Sequence, residues 1–168
     1  MDTEKKALAR RGFIAAGGLA IIGGLSFALF RAAPTVAKTK YRVSYSDAVW
    51  RKRLSPAAYR VLRKASTERP YSSALNKEKR RGDFVCKGCS QRLFSSAHKY
   101  KSGTGWPSFY RALPGGIGTS TDYKIGTPRT EVHCARCGGH IGHVFNDGPK
   151  PTGKRWCMNG VAMRFIAA

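Results

Sequence analysis

Two pairs of cysteines, each with C-x-x-C spacing, constrain this sequence more than any other feature. The first pair is Cys86 and Cys89, and the second is Cys134 and Cys137. A two-residue spacing lets one tight turn direct both sulfurs to one ion, and two such turns supply the four thiolates that zinc prefers in structural sites. We therefore expect one structural Zn²⁺ that joins two distant segments. Two disulfides are the alternative in an oxidising compartment, but disulfides within C-x-x-C are typical of redox motifs.

The residues from Gly82 onward predict a small all-β domain. Short β-like segments lie between glycines and prolines, and the chain contains 19 Gly and 8 Pro without a repeat period. Before them, Ser46 and Ser55-Pro56 predict the starts of two short helices that run to Leu54 and Lys64. The predicted strands are residues 84–86, 92–94, 131–133, 142–145, 155–159 and 161–165.

Residues 1–37 have the features of an export signal. Arg10-Arg11 is followed by Phe13 and by an uncharged run, residues 12–30, which its glycines keep only mildly hydrophobic. This pattern is similar to a twin-arginine signal. We therefore expect the protein to be periplasmic or otherwise exported by the twin-arginine pathway.

The end of this signal is expected near Ala37. Thr35-Val36-Ala37 offers small residues for a signal peptidase, with cleavage before Lys38. An uncleaved membrane anchor is the alternative, because the uncharged run is long enough to span a bilayer. We expect residues 38–45 to be a linker and residues 46–168 to form a single domain.

The charge of the chain is strongly positive. It has 31 Lys and Arg against 9 Asp and Glu, a formal net charge of +22. With the basic runs Arg51-Lys52-Arg53 and 77–81, this charge suggests a zinc-ribbon module that binds nucleic acid. Such a module does not agree with an export signal, and the alternation of aromatic and basic residues typical of a stacking surface is absent. We expect no nucleic-acid partner, and consider an anionic membrane surface instead.

Cys157 is left over from the two pairs. If its segment is a strand, the two-residue period places Arg155, Cys157 and Asn159 on one face, and Trp156 and Met158 on the other. A cationic neighbour on the same face favours the thiolate, which is the nucleophilic form of cysteine. The alternative is an inert, buried structural cysteine.

Two histidines lie shortly before this strand, at His140 and His143. Nucleophilic redox catalysis with proton delivery requires at least a thiolate, as the nucleophile, and a nearby imidazole, as the proton donor. A catalytic metal held by His140, His143 and Cys157 is a further alternative.

Several further motifs accompany the cysteine pairs. They are Leu54-Ser55-Pro56 with Tyr59, Thr67-Glu68-Arg69-Pro70, Ser102-Gly103-Thr104-Gly105-Trp106-Pro107-Ser108-Phe109, residues 140–145, Asp147-Gly148-Pro149, Pro151-Thr152-Gly153 and residues 155–160. Together, and in this order over roughly residues 46–166, they resemble the methionine sulfoxide reductase B family. The resemblance implies an all-β fold of two antiparallel sheets, with zinc at the cysteine pairs remote from the active site. It also implies reduction of the R epimer of methionine sulfoxide.

The resemblance also implies roles for individual residues. Cys157 matches the catalytic cysteine, which becomes a sulfenic acid when it takes the oxygen of the substrate. Trp106 and Phe145 match the apolar wall that holds the substrate methyl group, although Trp106 is equally acceptable as a core residue. The polar pocket corresponds to His140, His143 and Asn159, with Arg155 beside the nucleophile.

Thr104 departs from the family pattern. Many members carry a second, resolving cysteine at this position, and here no cysteine is spare once four bind zinc and one is catalytic. We therefore expect an external reductant, either a thioredoxin-like dithiol or a small thiol. The expected substrates are oxidised exported proteins or free methionine sulfoxide, and the enzyme is expected to be a monomer.

Overall fold

The computed structural model describes residues 41–168. Its first elements are helix α1 (Asp47–Arg53) and helix α2 (Pro56–Lys64). The hydroxyl of Ser46 accepts from the backbone N–H of Val49, and that of Ser55 accepts from Ala58, so both predicted N-caps are confirmed. No helix among these residues is long and apolar enough to cross a membrane. The expected export signal and the start of the linker lie outside the described residues.

Nine strands follow the helices and form two antiparallel sheets, as the family resemblance implied. A three-stranded sheet has the order β2-β1-β9, and a six-stranded sheet has the order β3-β4-β8-β7-β6-β5. The strands are β1 (Gly82–Cys86), β2 (Arg92–Ser95), β3 (Lys99–Tyr100), β4 (Ser108–Phe109), β5 (Ile117–Asp122), β6 (Arg129–Cys134), β7 (His140–Phe145), β8 (Arg155–Met158) and β9 (Met163–Ala167).

The predicted strands differ from the observed ones near the carboxyl terminus and in the middle of the chain, where the strands β3, β4 and β5 were not predicted. The expected strand 161–165 was placed too early, because residues Gly160–Ala162 form a 3₁₀ turn and β9 begins only at Met163. Strand β8 ends at Met158, one residue before the predicted end. Strand β5 was not predicted, because it is an edge strand whose polar residues are largely exposed.

The core lies between the two sheets and beneath helix α2. Phe94 and Phe109, from different sheets, stack with ring centroids 4.4 Å apart, and Phe84 meets Phe109 edge-on at 4.9 Å. All three rings are fully buried. Leu62 of α2 and Trp50 of α1 belong to the same buried cluster, so the amino-terminal helices are part of the domain core.

The segment between α2 and β1 contacts residues near the carboxyl terminus. The carboxylate of Glu68 accepts the backbone N–H groups of Gly160 and Val161 at 2.6 and 2.8 Å. Residues at the end of the expected linker also touch the domain, since the backbone N–H of Val43 donates to the carbonyl of Arg136 at 2.9 Å.

Candidate active site and four-cysteine cluster

The four paired cysteines converge on one point. Their sulfur atoms all lie within 4.8 Å of one another, with Cys86 Sγ 3.7 Å from Cys137 Sγ and Cys89 Sγ 3.4 Å from Cys134 Sγ. A tetrahedral zinc site with Zn–S bonds of about 2.3 Å has S···S edges of about 3.8 Å. The spacing therefore fits a four-thiolate metal site. None of the five cysteines in the chain forms a disulfide.

The two knuckles that carry these cysteines have the same backbone design. In each, the first cysteine ends a strand, and its carbonyl accepts the N–H of the residue four positions later, at 2.8 Å. That later residue, Ser90 or Gly138, has a positive φ, of 63° or 67°. The turn therefore brings both sulfurs of a pair to the same side, which is the local reason that C-x-x-C spacing produces a metal knuckle.

The helices cover the cluster from outside. A Cβ added to Gly88 would lie 3.3 Å from the Trp50 ring, and one added to Gly139 would lie 2.8 Å from the Leu62 side chain. The guanidinium of Arg63 donates to the carbonyl of Cys137 at 3.1 Å. Glycine in the knuckles thus permits close packing of α1 and α2 on the metal-binding turns.

Cys157 lies apart from this cluster, in the six-stranded sheet. It is half-buried in β8, where its neighbours across the strand pairs are His143 of β7 and Ser108 of β4. A cavity of about 110 Å³ opens beside it. The cavity is lined by Thr67, Trp106, Arg129, Gly142, His143, Phe145, Cys157 and Asn159.

The close pairing of β7 and β8 depends on Gly142. A Cβ at this position would lie 2.2 Å from the carbonyl oxygen of Cys157 and 2.9 Å from the Cα of Met158. Any side chain here would push β8, which carries Cys157, away from β7, which carries His143. The glycine therefore keeps the thiol and the imidazole in register.

Asp122, the last residue of β5, holds His143. Its Oδ2 accepts from His143 Nε2 at 2.7 Å and from Arg129 Nη2 at 2.6 Å, and its Oδ1 accepts the backbone N–H of Lys124 at 2.8 Å. The Lys124 hydrogen bond, together with that from His143, holds the pKa of Asp122 well below its usual range. The side chain is therefore a charged carboxylate at neutral pH.

His140 is placed next to His143 but outside the cavity lining. The two ring centroids are 5.3 Å apart, and His140 Nδ1 lies 2.7 Å from Oε1 of Glu131. Burial lowers the pKa of His140, and the Glu131 carboxylate opposes this effect only in part. His140 is 4% exposed, so the neutral imidazole is its favoured form.

Asn159 and Trp106 are both fixed by Glu68. The backbone N–H of Glu68 donates to Asn159 Oδ1 at 2.9 Å, and its carbonyl accepts from Trp106 Nε1 at 3.1 Å. Asn159 also donates through Nδ2 to the carbonyl of Ile141 at 3.0 Å. Two walls of the cavity are thus attached to one loop residue.

Arg155 lies near the site and is not one of the cavity-lining residues. Its guanidinium forms two hydrogen bonds to the carboxylate of Asp147, at 2.9 and 2.8 Å, and lies 4.3 Å from the centre of the Phe145 ring. The Asp147 carboxylate raises the pKa of Arg155, and Arg155 lowers the pKa of Asp147. Arg155 thereby supports Phe145, which does line the cavity.

A chain of hydroxyl groups approaches Cys157 from the other side. Thr104 Oγ1 lies 3.7 Å from Cys157 Sγ and 2.9 Å from Ser102 Oγ, which in turn lies 2.7 Å from Ser108 Oγ. Thr104 therefore occupies the position from which a second thiol would reach Cys157.

A second groove, of about 450 Å³, lies at the edge of the three-stranded sheet. Its lining includes the ion pair between Arg92 and Asp83, with Lys79 and Ile166, but contains neither cysteine nor histidine. It therefore lacks the thiol and the imidazole that the smaller cavity combines. The metal alternative at His140, His143 and Cys157 also lacks support, because the four-cysteine cluster is the only converging ligand group within residues 41–168.

Sequence reasoning did not identify Asp122, Glu131, Arg129 or Thr67 as part of this region. Asp122 and Glu131 reach the histidines only through the pairing of β5, β6 and β7, which no local pattern reveals. Glu131 does carry a weak signal, since it lies on a predicted strand near the histidines.

The comparisons with known proteins agree with this geometry. A family model of the SelR domain matches residues 54–167. The chain is 48% identical over 126 residues to the peptide methionine sulfoxide reductase MsrB of Leptospira interrogans serogroup Icterohaemorrhagiae serovar Lai (strain 56601), covering 74% of this chain and 96% of the relative. It is 48% identical over 132 residues to the protein of the same name from Bradyrhizobium diazoefficiens, covering 76% of this chain and 95% of that relative. A relative from Methanosarcina barkeri, also with this name, is 48% identical over 124 residues, covering 73% and 87%.

Proposed function

The chain belongs to the SelR-domain family of peptide methionine sulfoxide reductases of the MsrB type, which makes it an oxidoreductase, and on that premise we propose how its site works. The enzyme reduces methionine (R)-sulfoxide, free or in proteins, to methionine through a sulfenic acid on Cys157. The observation that supports this mechanism best is the placement of Cys157 beside His143 in one cavity.

The reaction transfers one oxygen atom from the sulfoxide to Cys157 and consumes one proton. The Cys157 thiolate attacks the electrophilic sulfur of the sulfoxide, and a proton from His143 goes to the oxygen, which is otherwise a poor leaving group. The hydroxyl then passes from the substrate sulfur to the Cys157 sulfur, so that the substrate sulfur–oxygen bond and the transient sulfur–sulfur bond both break. Methionine leaves, and Cys157 carries the oxygen as a sulfenic acid. The cysteine sulfur is oxidised and the substrate sulfur is reduced by two electrons.

The other cavity residues position the substrate. Trp106 and Phe145 offer an apolar surface for the methyl group beside the sulfoxide, and the Asn159 amide keeps the end of β8 in place. Outside the lining, His140 keeps Glu131 and His143 in position, and Arg155 orients Phe145.

The four-cysteine cluster holds a structural Zn²⁺ in this proposal. The sulfur spacing and the four-thiolate donor set support zinc over metals that prefer oxygen ligands. With all four positions taken by protein, no coordination site is open for catalysis. The ion thus joins the β1–β2 and β6–β7 turns and takes no part in the reaction.

An external thiol completes the cycle. Thr104 supplies no second sulfur, so two external thiol groups reduce the sulfenic acid. Both belong to one thioredoxin-like dithiol, or each belongs to one of two small-thiol molecules. These two thiols become a disulfide, Cys157 returns to its thiol, and the oxygen leaves as water.

Export is a further part of the proposal. Arg10-Arg11 and the mildly apolar run after it support the twin-arginine pathway, which would place the enzyme among exported proteins that it repairs. The net charge of +22 supports contact with anionic membrane surfaces there. Replacing both arginines by lysine should leave the protein in the cytoplasm, as fractionation would detect; unchanged localisation would contradict this route.

The decisive experiment for the function supplies the separated R and S epimers of a methionine sulfoxide peptide, with dithiothreitol as reductant. We expect turnover of the R epimer alone, measured as methionine formed. His143→Ala should reduce kcat by roughly 100- to 10,000-fold if His143 is the proton donor. Equal turnover of both epimers, or of neither, would contradict the proposed function.

A further inference from the structure

One charged pair in the site has no role in the reaction as described so far. Asp122 and Arg129 face each other across β5 and β6, and their side chains are 11% and 25% exposed. Arg129 lines the cavity, and its Nε is buried without a hydrogen-bond partner. A carboxylate and a guanidinium this close to the cavity influence where the side chains that they contact carry their protons.

The contact with His143 determines where that imidazole carries its proton. The Asp122 carboxylate is charged and can only accept hydrogen bonds, so the 2.7 Å contact requires a hydrogen on His143 Nε2. Within residues 41–168, Nδ1 of His143 has no hydrogen-bond partner. In the neutral ring Nδ1 therefore has the free lone pair, and in the charged ring Nδ1 has the second, transferable proton.

We propose that Asp122 is the positioning residue of the proton donor. It fixes neutral His143 as the Nε2–H tautomer and orients the ring, so that in the charged ring Nδ1–H delivers the proton to the sulfoxide oxygen. The last step of this inference rests on the proposed function, whereas the tautomer rests on the hydrogen bond alone. Arg129 holds the same carboxylate oxygen and so keeps Asp122 charged and in place.

The other charged and titratable groups around His143 have different partners. Glu131, its neighbour on β6, is bonded to His140 Nδ1 and to the Ser120 hydroxyl, and His140 lies at a ring distance of 5.3 Å on the same strand. On β8 the neighbour is Cys157. Asp122 is thus the carboxylate that contacts His143 directly, while Glu131 serves His140.

The first test reads the tautomer without any substrate. In the full-length, metal-bound protein labelled with ¹⁵N, long-range ¹H–¹⁵N spectra of the imidazoles should show His143 protonated at Nε2 at alkaline pH. Asp122→Ala should give a mixture of tautomers. The matched control is Asp83→Asn, which removes a carboxylate from an ion pair with Arg92 in the other sheet and should leave the spectrum unchanged.

The second test uses kinetics and a variant of nearly the same shape. Asp122→Asn keeps an oxygen for Nε2–H and loses the charge, so we expect kcat to fall by about 10-fold or more with KM nearly unchanged. Asp122→Glu should restore part of the rate.

Two results would overturn the proposal. One is a wild-type His143 protonated at Nδ1 in its neutral form. The other is an Asp122→Asn enzyme with wild-type kcat. The spectra need no turnover, so their failure is separable from a failure of the epimer assay, which would instead contradict the proposed function.

Discussion

Five cysteines occupy two regions of this molecule with opposite chemistry. In the cluster, Cys86, Cys134 and Cys137 are almost fully buried, and each sulfur has three others within 4.8 Å. Cys157 is half-buried beside a cavity, and Thr104 Oγ1 lies 3.7 Å from its sulfur. The comparison teaches that the number of sulfurs within reach, rather than the residue type, separates thiols that can share a metal ion from a thiol that cannot.

The largest effect should come from opening the cluster. Cys134→Ser, or removal of the metal by a chelator, should lower the melting temperature sharply and release one equivalent of zinc. In small zinc peptides the binding energy is roughly 10–16 kcal/mol, more than the stability of a typical domain. Calorimetry with metal analysis tests this, and unchanged stability in the metal-free protein would refute the structural role.

The matched substitution at the fifth cysteine should have the reverse outcome. Cys157→Ser should abolish turnover while the melting temperature and zinc content stay at wild-type values, because no zinc ligand is lost. Activity near wild type in this variant would end the proposal that Cys157 is the nucleophile. The two serine variants together show whether the two regions are separate in function.

Adding a thiol beside Cys157 should give this region, like the cluster, a second sulfur within reach. Thr104→Cys should form a disulfide with Cys157 after one equivalent of substrate, whereas the wild type should hold a sulfenic acid that a trapping reagent labels. Mass spectrometry of the peptides distinguishes the products, with Thr104→Ser as the control that keeps the hydroxyl. A wild-type disulfide between Cys157 and a knuckle cysteine, with zinc released, would show that the regions exchange electrons.

The smallest expected effect is on stability against pH. Burial lowers the pKa of His140, so near neutral pH and below, the unfolded chain binds a proton that the folded chain does not. The stability that neutral His140 contributes is fully present above the unfolded pKa of about 6.5. As the pH falls from there toward the folded pKa, the free energy of unfolding decreases by at most about 1.4 kcal/mol per pH unit. His140→Gln should flatten the decline in melting temperature between about pH 7 and pH 5.5. An unchanged slope would contradict this contribution.

Sequence reasoning succeeded where local chemistry determines the structure. Ser46 and Ser55-Pro56 cap helices in almost any context, and C-x-x-C makes a knuckle because the turn itself directs the sulfurs. Both helices were accordingly predicted to within one residue, and the four thiols were assigned to one cluster. Such features need little information from the rest of the chain.

The predictions failed or were silent where strand pairing decides. Nothing in Ile117–Asp122 alternates between apolar and polar, yet β6 pairs with it and brings Asp122 to His143. Gly160–Ala162 has an apolar sequence that resembles a strand, but Glu68 binds its backbone N–H groups and holds it as a turn. These contacts join residues far apart in sequence, so no local window contains them.

The hydrogen bonds of Glu68 join an early segment of the chain to one that is synthesised last. A ribosome delivers the chain from its amino terminus, so all four knuckle cysteines emerge before Cys157 and before Gly160, the partner of Glu68. The four sulfur ligands therefore leave the ribosome while the cavity does not yet exist. Cys157, Asn159 and the backbone N–H groups that bind Glu68 arrive together in the last segment, so the cavity is complete only when the carboxyl terminus has been made.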